Sequence, residues 1–203
     1  MRKIIKRNKL KVQIAKGNSK IGLIPTISLP PILACRQDAP CKADCYALKA
    51  WRQYTRTRQA WSRNYQLATT LPSTYFDQIN NYLIQKTPRF FRWHTSGDIL
   101  DQSYLDWMVA LAKNHPSTNF LCFTKMYELD FKKAPTNLRV VFSMWPCFKA
   151  KGINKSMPKA YMLDDANPDS RVPADVRPCP GHCDTCGMCW SLKQTESVVF
   201  NKH

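Results

Sequence analysis

The sequence predicts one α/β domain whose strands form a mainly parallel sheet or part of a barrel, with a metal-binding segment near its C-terminus. Two observations predict this fold. Short β-rich segments alternate with helical patterns along most of the chain, which is typical of parallel βαβ units. Seven of the nine cysteines fall into two close groups, one after the first β-rich segment and one near the end. At 203 residues the chain suits one compact domain with a small metal-bound appendage.

The chain divides into a basic arm and a domain. Residues 1–20 hold eight Lys or Arg and no acid, which predicts a flexible or surface-lying arm. Residues 21–203 are predicted to form the domain, and residues 177–191 are its cysteine-rich segment. A β-rich stretch at 21–29 ends at Pro30 and Pro31, which cannot continue a sheet ladder.

The remaining elements follow from periodicity. Residues 46–70 contain no Gly or Pro and place Trp51, Trp61 and Tyr65 at helical spacing, which predicts one long helix with an aromatic inner face. The later pattern predicts further elements in this order: a strand at 90–95, a helix at 102–113, a strand at 120–124, a short helix at 127–133, and strands at 139–143, 161–163 and 198–200. This count gives about six strands.

The composition of the chain indicates which class of partner it binds and in which cellular compartment it works. A formal net charge of +17 favours polyanionic partners, so nucleic acid is a candidate. No stretch of the sequence approaches the roughly 18 to 20 apolar residues that cross a bilayer. We therefore expect a cytoplasmic protein without a membrane partner. In a reducing cytoplasm, clustered cysteines are more often metal ligands than disulfides.

Cys35, Cys41 and Cys45 form a C-x5-C-x3-C loop between a predicted strand and a predicted helix. Three thiolates suit a 4Fe-4S cluster with one open iron, whereas a structural zinc site usually has four protein ligands. The N-terminus of the following helix favours the negative charge of such a centre. The alternative is three unrelated thiols.

A second group lies in CPGHCDTCGMCW, a C-x3-C-x2-C-x2-C run. Its ligands are predicted to be Cys179, Cys183, Cys186 and Cys189. This density favours a second 4Fe-4S cluster, with zinc or reduced thiols as alternatives. Sharing of one cluster between the two groups ranks below two separate centres.

The other cysteines and one histidine are assigned no ligand role. Cys122 and Cys147 have apolar neighbours, which predicts small core residues. His182 lies inside the second run, where it is an alternative ligand or a spectator.

Five motifs carry a family resemblance. They are GNSKIG at 17–22, CYA at 45–47, HTSGDI at 94–99, FTK at 123–125 and CGMCW at 186–190. With them the chain resembles a shortened radical S-adenosylmethionine (SAM) enzyme, and more closely the phage-encoded gene product 88 family, over nearly all of its length from about residue 17. The resemblance implies a (β/α)6-like partial barrel. Radical SAM enzymes usually space their cysteines C-x3-C-x2-C with an aromatic residue before the third, whereas Asp44 occupies that place here.

The same resemblance implies a SAM site at the C-terminal ends of the strands. Ser96, Gly97 and Asp98 match the position of the motif that receives the methionine amino group, with Asp98 as the matching acid. Three more residues follow later strands, where a parallel sheet presents its ligands; they are Thr124, Lys125 and Ser143. The alternative is that Gly97 and Asp98 form a turn and cap the next helix, and that Lys125 is solvated.

Three functions of different classes remain. The first is a SAM-binding enzyme with an external electron donor, whose catalytic residues the sequence does not identify. The second is a basic nucleic-acid-binding module with structural metal, in which the arm and three helical arginines, Arg52, Arg56 and Arg63, contact phosphates. A redox or cluster-sensing protein without turnover is a third class.

Overall fold

The computed structural model describes residues 10–145, 153–163 and 172–201. The strands in these ranges are β1 (Thr26–Ile27), β2 (Phe90–Trp93), β3 (Asn119–Thr124), β4 (Leu138–Ser143), β5 (Lys159–Leu163), β6 (Arg177–Pro178) and β7 (Ser197–Asn201). The helices in the same ranges are α1 (Tyr46–Gln53), α2 (Thr55–Thr70), α3 (Pro72–Lys86), α4 (Gln102–Asn114) and the single-turn α5 (Cys183–Cys186).

The strands form one parallel sheet in the order β1-β2-β3-β4-β5-β7-β6. Strands that are adjacent in sequence are adjacent in the sheet through β5, and helices α2, α3 and α4, which precede β2 or β3, cover one face. Phe91 and Trp93 point to that face and pack with buried residues of α2, α3 and α4. The mixed α/β class and the parallel sheet are therefore confirmed.

The opposite face is covered by the cysteine-rich segment. Leu121, Val141 and Val198 belong to a second apolar cluster together with Trp190 and Leu192. Both faces of the parallel sheet are thus covered by protein, as such sheets require. The segment contributes to the core of the domain.

The sheet is open, because β1 and β6 are its edge strands. The described chain has seven strands instead of about six; the two-residue β6 escaped prediction since it is too short to show a period. The strict βα alternation is also wrong at one place, since residues 125–137 contain turns and no helix. There the Asp130 carboxylate accepts a hydrogen bond from the Lys132 N–H at 3.0 Å, a local turn that competes with helix formation. The partial barrel stays a prediction.

The prediction of one continuous helix over residues 46–70 is wrong, because this stretch forms two helices. Tyr54 has extended backbone (φ −111°, ψ 103°) and separates α1 from α2. Trp51 and Trp61 stack across this break with their centroids 6.2 Å apart, and both side chains are half-buried. Of the predicted aromatic face, Tyr65 packs against the core. The buried residues of α2 are Asn64, Leu67 and Ala68. Helix α3 was not predicted at all.

The second half of the basic arm packs along the domain. Leu10, Val12 and Ile14 contact the main core, and Ala15 pairs with Thr26 of β1. The side chain of Asn64 accepts a hydrogen bond from the Gln13 N–H at 2.8 Å and donates one to its carbonyl at 2.9 Å. Residues 1–9 and Cys147 lie outside the described residues. Within the described ranges no helix is long and apolar enough to cross a membrane.

Candidate metal and cofactor site

The first cysteine group and the predicted cofactor residues lie at the ends of β1, β2, β3 and β4 or directly after them. Because these strands are parallel neighbours, their C-terminal ends share one edge of the sheet. The three-cysteine loop follows β1, and Ser96, Gly97 and Asp98 follow β2. The structure therefore brings the first cysteine group and the predicted cofactor residues to the same edge.

Hydrogen bonds tie the cysteine loop to the neighbouring segments. The Asp98 N–H donates to the Ala34 carbonyl at 2.7 Å, next to Cys35. The Arg36 guanidinium donates to the Lys125 carbonyl at 2.6 Å. The Tyr46 hydroxyl, at the start of α1, donates to the Thr95 carbonyl. The loop is thus fixed against the ends of β2 and β3 before any ligand binds.

Strain marks the entrance to this loop. Ile32 has a φ of 67°, an outlier for a β-branched residue, and its carbonyl accepts a hydrogen bond from the Cys35 N–H at 3.3 Å. Such conformations cost on the order of 1–3 kcal/mol and cluster at functional sites. α1 begins at Tyr46, so Cys45 lies at the predicted helix N-terminus.

Asp98 is the centre of a buried hydrogen-bond network. Its carboxylate accepts hydrogen bonds from the Thr124 hydroxyl at 2.6 Å, the Lys125 N–H at 2.9 Å and the Ile99 N–H at 2.8 Å. Burial raises the pKa of Asp98, and these hydrogen bonds oppose the rise. Asp98 therefore joins the ends of β2 and β3. It does not cap α4, because Asp101 accepts the hydrogen bond from the Tyr104 N–H.

The other predicted cofactor residues lie around this network. Lys125 donates from Nζ to the Ser143 hydroxyl at 3.0 Å and is half-buried, so the solvated alternative is wrong. The Ser96 hydroxyl is buried and has no hydrogen-bond partner among the described residues. Gly97 has a φ of 77°, and a Cβ there would lie 2.7 Å from the Leu29 Cβ. Gly97 is thus required for close packing.

The first three thiols act on one another electrostatically. Burial and then the Asp98 charge raise the pKa of Cys35 to about 11, with smaller contributions from Cys41 and Cys45. A metal at this loop must therefore displace a proton from Cys35. A cavity of about 450 Å³ opens beside Cys35, within the size range of small-molecule sites. Phe76, Tyr104 and Trp107 contribute to its wall.

The second cysteine group lies on the sheet face opposite the helices. The Cys183 N–H donates to the Lys20 carbonyl at 3.2 Å, and Trp190 packs on Phe90, the first residue of β2, with centroids 5.0 Å apart. This places the segment towards the N-terminal ends of β1 and β2, away from the first group. The sequence could not show this arrangement.

All four C-terminal cysteines and His182 line one narrow crevice. Burial raises the pKa of Cys189 to about 12, the charge of Arg92 opposes the rise, and the other three thiols add to it. Cys186 is exposed and Cys189 is buried, so the group runs from the surface into the apolar cluster. The four predicted ligands are thus brought together.

The thiols of both groups have the donor chemistry of an iron–sulfur cluster or of a zinc site. Within the described residues no group of three or more His, Cys, Asp or Glu side chains is arranged to hold one metal ion. A cube-shaped cluster binds each thiolate through a different iron, so its cysteines surround a volume instead of meeting at a point. The seven cysteines of the two groups are free thiols, so they are available as ligands.

His94 is a candidate that the sequence reading missed. It is 4% exposed, has a φ of 53°, and neither ring nitrogen has a hydrogen-bond partner among the described residues. Buried polar groups are nearly always paired, so such an imidazole marks a special position. Its place at the head of the HTSGDI motif, just before Ser96, was the available signal.

A family model describes almost the whole chain. The model of the gene product 88 family matches residues 2–192. The chain belongs to the gene product 88 family. The predicted family is therefore confirmed, and membership also supports a phage origin, whereas the finer likeness to radical SAM enzymes stays a prediction. No curated protein and no solved structure matches the chain.

In this gene product 88 family member, both cysteine groups lie within the matched range, as do all six predicted cofactor residues. The matched range ends two residues after Trp190, which packs on β2, so it contains the contact between the second group and the sheet.

Proposed function

We propose that this protein is an iron–sulfur protein in which Cys35, Cys41 and Cys45 hold a 4Fe-4S cluster with one open iron, and that SAM binds there. The observation that supports this proposal is that the cysteine loop is hydrogen-bonded to the segments that follow β2 and β3. The Asp98 N–H donates to the Ala34 carbonyl, and Arg36 donates to the Lys125 carbonyl. These hydrogen bonds hold the candidate metal-binding loop beside the polar C-terminal edge of the parallel sheet.

Each group of this chain has a role in the proposal. Asp98 orients the ends of β2 and β3. The buried Ser96 hydroxyl, which has no hydrogen-bond partner among the described residues, is the group that would bind the amino or carboxylate group of SAM. Lys125, held by Ser143, supplies a positive charge for a carboxylate. The cavity beside Cys35 is the space proposed for a substrate. A bound cluster would supply one electron, taken from an external donor, to cleave SAM.

The test is anaerobic reconstitution followed by iron, sulfide and zinc analysis, with electron paramagnetic resonance of the reduced protein before and after SAM. We expect a spectrum that changes with SAM in the full chain. Cys35→Ala should abolish the change. Cys122→Ala is the matched control, because Cys122 is a buried core thiol on β3 and no predicted ligand.

A third variant separates SAM binding from cluster assembly. Ser96→Ala removes only the unpartnered hydroxyl, so it should weaken the response to SAM while iron content stays at the full-chain value. A spectrum that SAM leaves unchanged in the full chain refutes the SAM site. Zinc as the sole metal refutes the cluster itself.

A second candidate function is nucleic-acid binding with structural metal. The observation that favours it is the surface around the break at Tyr54. Trp51 and Trp61 are stacked and half-buried there, and Arg52 and Arg56 are exposed on the same helices. Partly exposed aromatic rings beside arginines are the elements with which single-stranded nucleic acids are bound.

This candidate is tested by titrating labelled single-stranded RNA and DNA at two salt concentrations. Replacing Arg52 and Arg56 with Gln should lower the affinity and reduce the slope of log K against log salt by about one for each lost phosphate contact. Replacing Lys86 and Lys113 with Gln, in the last turns of α3 and α4, is the charge-matched control. No retention by the unaltered chain at low salt rejects this function.

A further inference from the structure

Arg92 lies on the sheet face that the second cysteine group covers. It alternates along β2 with Phe91 and Trp93, which face the helices, so it points to the opposite side with Phe90. Its guanidinium lies 4.2 Å from the centroid of the Phe123 ring. Phe90 and Phe123 both pack in the apolar cluster that contains Cys179, Cys183 and Cys189. Arg92 is therefore set among the walls of the second metal segment.

This arginine lacks a carboxylate partner within the described part of the chain. The three ion pairs there are formed by Arg36 with Asp38 and Glu128, and by Arg177 with Glu196. The Arg92 Nε–H donates to the Trp93 carbonyl at 3.1 Å, a neutral acceptor. Burial is the main influence that lowers its pKa, and the groups that oppose this are Tyr46, Cys122, Cys189 and Cys183.

A desolvated cation is costly unless an anion lies near it. The thiols of the second cysteine group lie on the same sheet face as Arg92, since Cys179, Cys183 and Cys189 pack in the apolar cluster of Phe90 and Phe123. As free thiols they are largely neutral at pH 7, because the ordinary pKa of a cysteine thiol is about 8.5. As metal ligands they are thiolates, and four thiolates exceed the positive charge of a zinc ion or of an iron–sulfur core.

We propose that Arg92 is the partly buried counter-charge of a metal centre formed by Cys179, Cys183, Cys186 and Cys189. The inference rests on the metal-binding part of the proposed function and is independent of SAM. Arg92 is a positioning residue: it touches the apolar walls of the centre and acts on it through its charge. It favours the assembled, anionic centre over the free thiols, and for an iron–sulfur cluster it also favours the reduced form.

The experiment measures metal retention in the full chain with a Cys41→Ala background, so that the C-terminal group is the remaining four-cysteine set. Iron and zinc bound to the protein are followed during challenge with a chelator, for Arg92→Met, Arg92→Lys and the parent. We expect metal affinity to fall about tenfold or more in Arg92→Met, the usual scale for residues that support ligands. Arg92→Lys should retain most of the affinity, because it keeps the charge.

Arg89→Gln is the matched control. Arg89 stands three residues earlier, is exposed, and also lies over a ring, with its guanidinium 5.0 Å from the Phe90 centroid. The Arg89→Gln substitution removes one positive charge at a solvated position, so it should leave metal retention unchanged. If the centre is a cluster, its reduction potential should fall in Arg92→Met and stay near the parent value in Arg89→Gln.

The outcomes separate the two proposals. Arg92→Met and Arg92→Lys could lose equal amounts of metal while circular dichroism shows unchanged helical content. That result would show that packing, not charge, accounts for the effect of Arg92, and it would overturn the proposal. Retention in Arg92→Met at the parent level would overturn it too. The response to SAM reports on the first cysteine loop, so its absence together with a charge-dependent metal affinity would reject SAM binding and leave the role of Arg92 standing.

Discussion

His94 should make the stability of the protein fall as the pH drops from about 7.5 to about 5.5. The imidazole is buried between Trp93 and Tyr104, with ring centroids 5.9 and 5.6 Å away. Burial, and then the charge of Arg92, lowers its pKa from 6.5 to about 3. The folded protein thus holds a neutral imidazole at any pH at which it is normally handled.

The sign follows from proton linkage. The unfolded chain binds a proton at His94 below a pH of about 6.5, whereas the folded chain does not until far lower. Stability is therefore full above the unfolded pKa and is lost as the pH falls towards the folded pKa. Between pH 7.5 and pH 5.5, protonation of the unfolded state alone costs about 1.4 kcal/mol.

The assay is urea unfolding of the parent and of His94→Asn at both pH values. Asparagine is the matched replacement because it tolerates the left-handed backbone that a φ of 53° requires. The difference in unfolding free energy between the two proteins should shift by about 1.4 kcal/mol over this range, while other titrating groups cancel. An identical pH dependence in both proteins would refute the buried neutral imidazole.

Three further substitutions test the geometry of the polar edge and its support. Gly97→Ala should destabilise the fold by about 1–3 kcal/mol in thermal unfolding, because its Cβ would meet the Leu29 Cβ at 2.7 Å in left-handed backbone. Gly181→Ala shares the positive φ but has open space around it, so a cost as large as that of Gly97→Ala would contradict the clash. Asn64→Ala should cost about 3 kcal/mol in urea unfolding, since it removes the side chain that bonds the arm and the Ser28 carbonyl. Asp98→Asn should cost about 1–3 kcal/mol, and an unchanged unfolding midpoint would show that the three hydrogen bonds to its carboxylate are dispensable.

Local patterns predicted many elements because they are local in origin. The alternation at 120–124 and 139–143 predicted β3 and β4 to within one residue at their first ends. Helix α4 extends one residue past its predicted end. The prediction failed where a single residue changes the path of the chain, as Tyr54 does between α1 and α2. Short strands such as β6 also escaped, since two residues carry no period.

Family-level resemblance located the polar edge better than propensity did. The motif at 94–99 and the FTK motif lie at the C-terminal ends of neighbouring parallel strands, and Asp98 joins them through Thr124. The environment of individual groups was beyond prediction. His94 and Arg92 owe their properties to burial and to neighbours far along the chain, such as Tyr104 and Cys183.

By itself the sequence determined that the protein has an α/β fold, that its cysteines form two groups, and that it belongs to the gene product 88 family. Composition, periodicity and motif spacing encode these features within short stretches of chain. The tertiary structure alone decided that the second group covers the sheet face opposite the helices, with the Cys183 N–H bonded to the Lys20 carbonyl. Such contacts join residues more than 100 positions apart. They depend on which apolar surfaces pack against each other in the folded chain, and local sequence patterns do not contain that information.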